Sequence, residues 1–407
     1  MSDQPQQPFA GLNVLDFSWV VIGPMATRYL SDFGATVVRV ESAKRPDVIR
    51  DGPPFAGGKP GINRSGYWTT YNSGKLGLAL DMGDERGRAL AYEAATEWAD
   101  IVAENFTPGV MEKWGLGYEA IRAKNPGVVM FSASMLGRGG PYDAQPGYGP
   151  VLTALSGLTN GTGWPDRVPV SPYGAYTDFL VPHLAIAAIA AALEHRRRTG
   201  EGQHIDVSQL EASLYYAGVP LLDKAANGRV AERDGNADPD MAPHAAYPCA
   251  GEERWVTIAC PDDAAFAALM LLIQKPGMAA DPRFETVAGR KANEAELDAA
   301  IAAWTRTRTP AGVMAACARA GVPAGAVNDC RDLFSDPQLV HREHFVWLEH
   351  PEMGRYAADG NAFTLSATPP QYRPAPMLGE HTEHVLRELW GVSQERYAAL
   401  RDAGVLE

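Results

Sequence analysis

Asp178 is the side chain in this sequence best placed to do chemistry. It stands in the stretch VPVSPYGAYTDFLVPHLAIAAIAAALEHRRRTGEGQHIDVSQLE, residues 168–211, just ahead of an apolar, alanine-rich run at 184–193. A carboxylate where a loop enters a buried helix can do one of two things. It can accept hydrogen bonds from the first-turn amides as an N-cap, or it can meet a ligand as a nucleophile or proton carrier. A second group with chemical promise is the cation cluster Lys44, Arg45 and Arg50 in SAKRPDVIR. Such a cluster just past a strand suits a phosphate-bearing ligand. His244 in APHAAYPC is a third candidate, either lining a ligand pocket or serving as a structural or supporting histidine.

The elements that must position these groups read as α/β. Residues 12–17 (LNVLDF) and 36–40 (TVVRV) predict strands, with a helix over 25–33 between them closed by Gly34. A β-α-β unit with so short a crossover implies a parallel sheet with its ligand at the carboxyl ends of the strands. Further strands are predicted at 76–80, 101–103, 128–132 and 204–207, with helices at 85–98, 110–114 and 207–227. Residues 67–74 read as a turn. The run at 184–193 predicts a buried helix ending in the basic turn His195 to Arg198, with Gly200 as the terminating residue. Beyond a charged, turn-rich linker, a strand at 255–260 and helices at 263–272, 293–304 and 310–320 predict a smaller unit. Strand-like pieces near 345–348 and 354–358 follow, and PMLGEHTEHVLREL predicts an amphipathic helix entered through Gly379.

Composition narrows the function. With 407 residues, 46% hydrophobic and 21% charged, the chain predicts two soluble domains. The net charge of −13 argues against a nucleic-acid surface, so any anionic ligand must meet local cations. The start, MSDQPQQPFAG, lacks the basic and apolar parts of a signal peptide and predicts a cytoplasmic protein. The 184–193 run falls short of the roughly 18 residues of a membrane span. Cys249, Cys260, Cys317 and Cys330 show no C-x-x-C spacing and read as reduced thiols rather than a metal site. A dinucleotide site would need G-x-G-x-x-G after the first strand. The turn SWVVIGPM carries only Gly23, even though Glu41 ends the second strand as an NAD-binding acid would.

Taken in order, GLNVLDFS, Gly23 with Pro24, FGATVVRVES, NSGKLGLALDM, ADIVAENFTPGVMEKWGLGYE, TDF, TGEGQHIDVS, GVPAGAVND and PMLGEHTEHVL make the chain resemble the class III CoA-transferase family, the CaiB/BaiF type, over nearly its whole length. The resemblance implies a Rossmann-like large domain with a parallel sheet, plus a smaller α/β domain, in an interlocked dimer. Residues 1–225 and 331–407 would form the large domain and 226–330 the linker and small domain. It implies that Asp178 is the nucleophile. It places coenzyme A contacts on Val20, Val21, Ser42, Leu80, Asp81, Met82, Gly83, Asn105, Phe106, Thr107, Lys113 and Tyr148. For Val20, Val21 and Leu80, core packing is an equal alternative.

Coenzyme A would be a substrate, as acyl-CoA, with no permanently bound cofactor and no metal. The wording DFSWVVIGP, YNSGKLGLALDM and APHAAYPC is closest to members that take succinyl-CoA as donor, including benzylsuccinate-type transferases. Some of those pair two related subunits, so a homodimer or a heteromer with a related chain is implied. Two alternatives stay open: racemase-type proton transfer on an acyl-CoA, and a non-catalytic acyl-CoA-binding subunit. The racemase branch places a His where this chain has Tyr148, and a phenol titrating near about 10 is a poor base at neutral pH. Oxalate-using members carry Gln at the position of Val21 and Glu at that of Gly149, which argues against formyl-CoA:oxalate exchange.

Overall fold

A computed structural model of the chain describes residues 6–142 and 144–407. Six strands form one parallel sheet: β1 (Asn13–Asp16), β2 (Thr36–Glu41), β3 (Leu76–Ala79), β4 (Ile101–Glu104), β5 (Val129–Ser134) and β6 (His204–Ser208). Their order, β3-β2-β1-β4-β5-β6, is that of a Rossmann-type doubly wound sheet. The strands are short apolar runs because both faces are covered. Alternate residues feed two cores. Leu15, Val38, Leu78, Val102 and Met130 point to one side with Leu90 and the C-terminal Val385 and Leu400. Val14, Val37, Ile101, Val129 and Phe131 point to the other with Leu30, Val181 and Ile189.

The same unit holds helices α1 (Ile22–Asp32), α2 (Gly66–Asn72), α3 (Glu85–Glu97), α4 (Val110–Lys113), α5 (Tyr118–Arg122), α6 (Gly149–Leu155), α7 (Tyr176–Thr199), α8 (Gln209–Leu214) and α9 (Gly218–Asn227). Several differ from the sequence expectation. The predicted helix at 184–193 is the middle of α7, which runs for 24 residues and is long and apolar enough by composition to cross a membrane. Here Val181, Ala185, Ile189 and Ala192 of that helix pack into the sheet core. It extends beyond the apolar run because TDFLVPH and the basic last turn also take helical backbone. Gly200, at φ 80°, ends it with its N–H on the Arg196 carbonyl at 2.7 Å. The chain then returns as β6 so close to β5 that a Cβ on Gly202 would lie 1.8 Å from the Val128 carbonyl oxygen, which only glycine permits.

α2 replaces the predicted turn. Its aromatic, threonine-rich text has weak helix propensity, but Ser65 caps it by accepting from Trp68 N, and Trp68 is completely buried. The single helix predicted over 207–227 is two, α8 and α9, broken around Tyr215 to Ala217. The C-terminal amphipathic segment is a short turn at Thr382–His384 followed by a π-helical turn at Val385–Leu389. There the Trp390 N–H reaches back to the Val385 carbonyl.

Buried charges knit the loops after β1 and β2. Lys75 Nζ donates to Asp16 Oδ2 at 2.9 Å, to the Pro24 carbonyl at 2.9 Å and to Asn72 Oδ1 at 3.0 Å. Burial lowers the Lys75 ammonium to about 8. Burial alone would raise Asp16, but the charges of Lys75 and Arg39 hold it below the ordinary carboxylate value. Arg39 pairs with Asp47 at 2.9 Å. Arg50, expected as a phosphate ligand, is instead fully buried over the Trp68 ring at 3.6 Å and grips Glu41 with two bonds of 2.9 and 2.8 Å. That pair also explains the acid at the end of β2 without a nucleotide.

A second compact unit, Gly161–Val170 with Glu232–Val340, is distinct from the first, which comprises the chain up to Asn160, Ser171–Ala231 and His341–Glu407. This second unit carries the antiparallel sheet β7 (His244–Pro248), β8 (Trp255–Ala259) and β9 (Ala324–Val327). Helices Asp263–Leu272, Glu294–Thr305 and Pro310–Arg319 cover it around Tyr247, Ile258, Phe266, Leu269, Ile301 and Val313. In the first unit, β10 (Phe345–His350) and β11 (Gly354–Asp359) form a hairpin.

Replacing Arg50 by Ala leaves Glu41 buried and alone. The expected loss is about 3–5 kcal/mol, read as a fall in the urea midpoint by far-UV circular dichroism. The double variant Arg50→Met, Glu41→Gln should lose clearly less.

Candidate active site

Asp178 is the third residue of α7, and the N-cap is Ala175, which has no side chain able to cap. The capping alternative for Asp178 is therefore excluded by geometry. Pro182, four residues on, has no N–H to give the Asp178 carbonyl, so that carbonyl lacks its usual partner within the helix. Among the described residues the carboxylate has no ion pair. It is 8% exposed. Burial alone raises it to about 7. Every other buried Asp, Glu, Lys and Arg among the described residues has an oppositely charged partner: Asp16 with Lys75, Asp47 with Arg39, Glu41 with Arg50, Glu104 with Arg138, Asp32 with Arg28 and Arg290 with Asp263. Structural carboxylates are compensated, whereas this one is kept dry and unpaired.

Asp178 opens onto a cavity of about 160 Å³ at the carboxyl ends of β1 and β4, where the strand order reverses. Val20, Val21, Asn105, Phe106, Thr107 and Tyr148, all singled out from the sequence, line this same cavity. Val20 takes a left-handed backbone, φ 65°, which a β-branched residue adopts only at a cost of about 1–3 kcal/mol. Its N–H is held by Asp47 Oδ2 at 3.0 Å. Asn105 clamps the preceding residue, accepting from Trp19 N at 2.6 Å and donating to Trp19 O at 2.7 Å. The amide of Asn105 is thus engaged in shaping the loop after β1. Val21 is core-packed and cavity-lining at once.

A second cavity of about 330 Å³ lies beside the first and shares Trp19 and Phe106 with it. Ser42, Leu80, Asp81, Met82 and Gly83 line it, as do Lys44 and Arg45. Lys44 donates to Asp81 Oδ2 at 3.0 Å and to the Gly404 carbonyl at 2.7 Å. Arg45 is exposed, with no ion pair among the described residues. Lys113 is exposed in the last turn of α4 and lines neither cavity. His244 belongs to the second unit, where its Nδ1 meets the Asn236 carbonyl at 2.7 Å and the ring lines a cavity of about 490 Å³.

Sequence reasoning missed Trp19 and Tyr67, and it named Gly149 without foreseeing its contact with Asp178. Gly149 is packed so tightly that a Cβ there would stand 2.7 Å from Asp178 Oδ2 and 2.3 Å from Ala175 Cβ. Trp19 divides the two cavities together with Phe106, their rings 6.0 Å apart edge to face. Tyr67 of α2, raised by burial and then by the charge of Asp178, lies within its electrostatic reach. An aromatic in a predicted turn gives no sequence signal of such proximity.

Comparison with known proteins fits this geometry. The sequence profile of CoA-transferase family III matches residues 9–382. The chain is 32% identical to a succinyl-CoA–D-citramalate CoA-transferase of Chloroflexus aurantiacus over 406 residues, all of both chains. It is 30% identical to the beta subunit of a succinyl-CoA–L-malate CoA-transferase from the same organism, over 98% of each chain. A CAIB/BAIF family protein from Brucella suis superposes with a TM-score of 0.85 at 32% identity, covering 95% of this chain and 100% of that one. With the Rossmann-type sheet and the full-length matches together, the chain belongs to CoA-transferase family III, the CaiB/BaiF family.

Proposed function

We propose that this enzyme moves coenzyme A from an acyl-CoA donor, with succinyl-CoA favoured, to a carboxylic acid acceptor, and that Asp178 is the covalent relay that carries the coenzyme A between them. The observation that carries the reading is the unpaired, buried carboxylate of Asp178 opening onto the cavity at the switch point of the sheet. The preference for succinyl-CoA is supported by the two relatives that are named for it.

In the first step an Asp178 carboxylate oxygen attacks the thioester carbonyl, the C–S bond breaks, and coenzyme A leaves as thiolate. The product is a mixed acyl-aspartyl anhydride. The thiolate then attacks the aspartyl carbonyl, expelling the donor acid and leaving an aspartyl-CoA thioester. The acceptor carboxylate attacks that thioester and releases the thiolate, which takes the acceptor acyl group and frees Asp178. Each step exchanges one acyl bond for another, so no water is consumed. Dryness of the site protects both intermediates. The nucleotide end of the donor would occupy the second cavity, with Arg45 and Lys44 meeting its phosphates and the Trp19–Phe106 pair flanking its arm. No imidazole lines the Asp178 cavity among the described residues, which favours transfer over α-proton exchange.

A homodimer is part of the proposal. It is supported by Tyr215, Val219 and Leu222, which are largely exposed in and just before α9, a helix with no buried residue. A related partner subunit is the alternative, supported by the relative named as a beta subunit.

Asp178→Ala should abolish exchange between succinyl-CoA and carboxylic acids, and with it the hydroxylamine-sensitive adduct that intact mass should detect in the parent protein. Exchange surviving in the variant, or release of α-deuterium without exchange, would sink the assignment. Because the reactive form is the carboxylate and burial holds its proton up to about 7, kcat/KM for the donor should climb with pH and level off above that value. A stopped assay across that range would show it, and a flat profile would contradict it. Gly149→Ala should cost about tenfold or more in exchange rate by displacing the carboxylate from its attacking position, with little change in the affinity for free coenzyme A measured by calorimetry.

A further inference from the structure

Glu104 ends β4 and is 1% exposed. Its two oxygens do different work. Oε2 accepts the backbone N–H of Phe106 at 2.8 Å, and Oε1 accepts Arg138 at 2.7 Å. Arg138 comes from the loop after β5. Its backbone N–H donates to Asp206 Oδ2 of β6 at 3.2 Å, and its second guanidinium nitrogen donates to Glu112 Oε1 of α4 at 3.0 Å. Ser132 joins the cluster, 3.4 Å from the Arg138 guanidinium and 2.9 Å from His204 Nε2. Through its guanidinium and its backbone N–H, Arg138 therefore ties the end of β4, α4, β5 and β6 into a single block.

The position of this block gives it a consequence. The β4 loop carries Asn105, Phe106 and Thr107 along one wall of the Asp178 cavity. The loop after β5 carries Met135, Leu136 and Gln145 along another. Phe106 is also the ring that, with Trp19, stands between the two cavities. An acyl-CoA reaching from the second cavity to Asp178 must pass that ring, and Glu104 fixes the backbone on which it is mounted.

We infer that Glu104 and Arg138 are positioning residues that set the passage for the coenzyme A arm at the Trp19–Phe106 pair. They would govern affinity for the long donor rather than the reactivity of Asp178. The inference rests on the proposed transfer reaction for its kinetic part, but not for its binding part.

The test compares the parent enzyme with Arg138→Met, Arg138→Lys and the double variant Glu104→Gln, Arg138→Met. The double variant removes both charges at once, so no lone buried charge compromises folding. Two donors are used: succinyl-CoA and the truncated succinyl thioester of N-acetylcysteamine, which lacks the nucleotide and most of the arm. Arg138→Met and the double variant should each raise KM for succinyl-CoA about tenfold, with kcat changing by no more than about twofold. The loss with the truncated donor should be several-fold smaller, and Arg138→Lys should recover part of the affinity. Free coenzyme A, titrated calorimetrically, should bind about tenfold more weakly to the same variants. This last readout stands even if Asp178 proves not to be acylated. Equal losses on both donors, a fall confined to kcat, or unchanged coenzyme A affinity would overturn the inference.

Discussion

A carboxylate shut away from water, with no cation beside it among the described residues, is the constraint on which this structure turns. Taking an aspartate out of water disfavours its charged form, and proteins ordinarily answer with an opposite charge or a fan of donors. The sheet of this chain shows that answer repeatedly, at Asp16, Asp47, Glu41 and Glu104. At Asp178 it is withheld. The folded protein keeps the proton there up to about 7, whereas an unfolded aspartate releases it near about 3.9. The stability this group contributes is thus complete below the lower value and is lost as pH climbs through the upper one. Selection for stability alone would not retain such a group, which is why its environment reads as functional.

The compensated charges serve the uncompensated one. Asp47 holds the N–H of the strained Val20 while pairing with Arg39, and Asn105 grips Trp19 from the neighbouring strand end. Lys75 anchors the end of β1 to the first turn of α1 through Asp16 and the Pro24 carbonyl. Each bond removes freedom from a loop that bounds the cavity. The strain at Val20 is sustained because its surroundings over-determine it. Close approach at Gly149 completes the enclosure, since a single added carbon would collide with the Asp178 carboxylate.

Two residues show how the same motif can mean different things. Arg50 lies six residues past Lys44 in one basic stretch, yet it is buried against Trp68 and spent on Glu41, while Arg45 is exposed at the rim of a cavity. Charge and spacing are alike for both. What separates them is which way the chain turns in the 3-10 segment Val48–Asp51, capped by Asp47. Asn105 is a similar case. It lines the cavity, but its amide is occupied by the backbone of Trp19.

By itself the sequence determined the alternation of short apolar strands with helices and the parallel sheet that this implies, because hydrophobic periodicity is a property of the chain read in one dimension, and its motif order pointed to Asp178 through the family resemblance. Val20, Val21, Asn105, Phe106, Thr107 and Tyr148, named through the family resemblance, line one cavity, as loops that follow parallel strands collect on one edge of the sheet. The full length of α7, the helix α2 inside aromatic text, the burial of Arg50, the closeness of Gly149 to Asp178 and the Glu104–Arg138 tie were decided only in three dimensions. Each depends on a partner tens to hundreds of positions away, or on a helix whose residues gain their stability from the surface they cover rather than from their own propensity. Whether a buried carboxylate meets a cation or none is likewise a fact about neighbours in space, and no spacing along the chain encodes it.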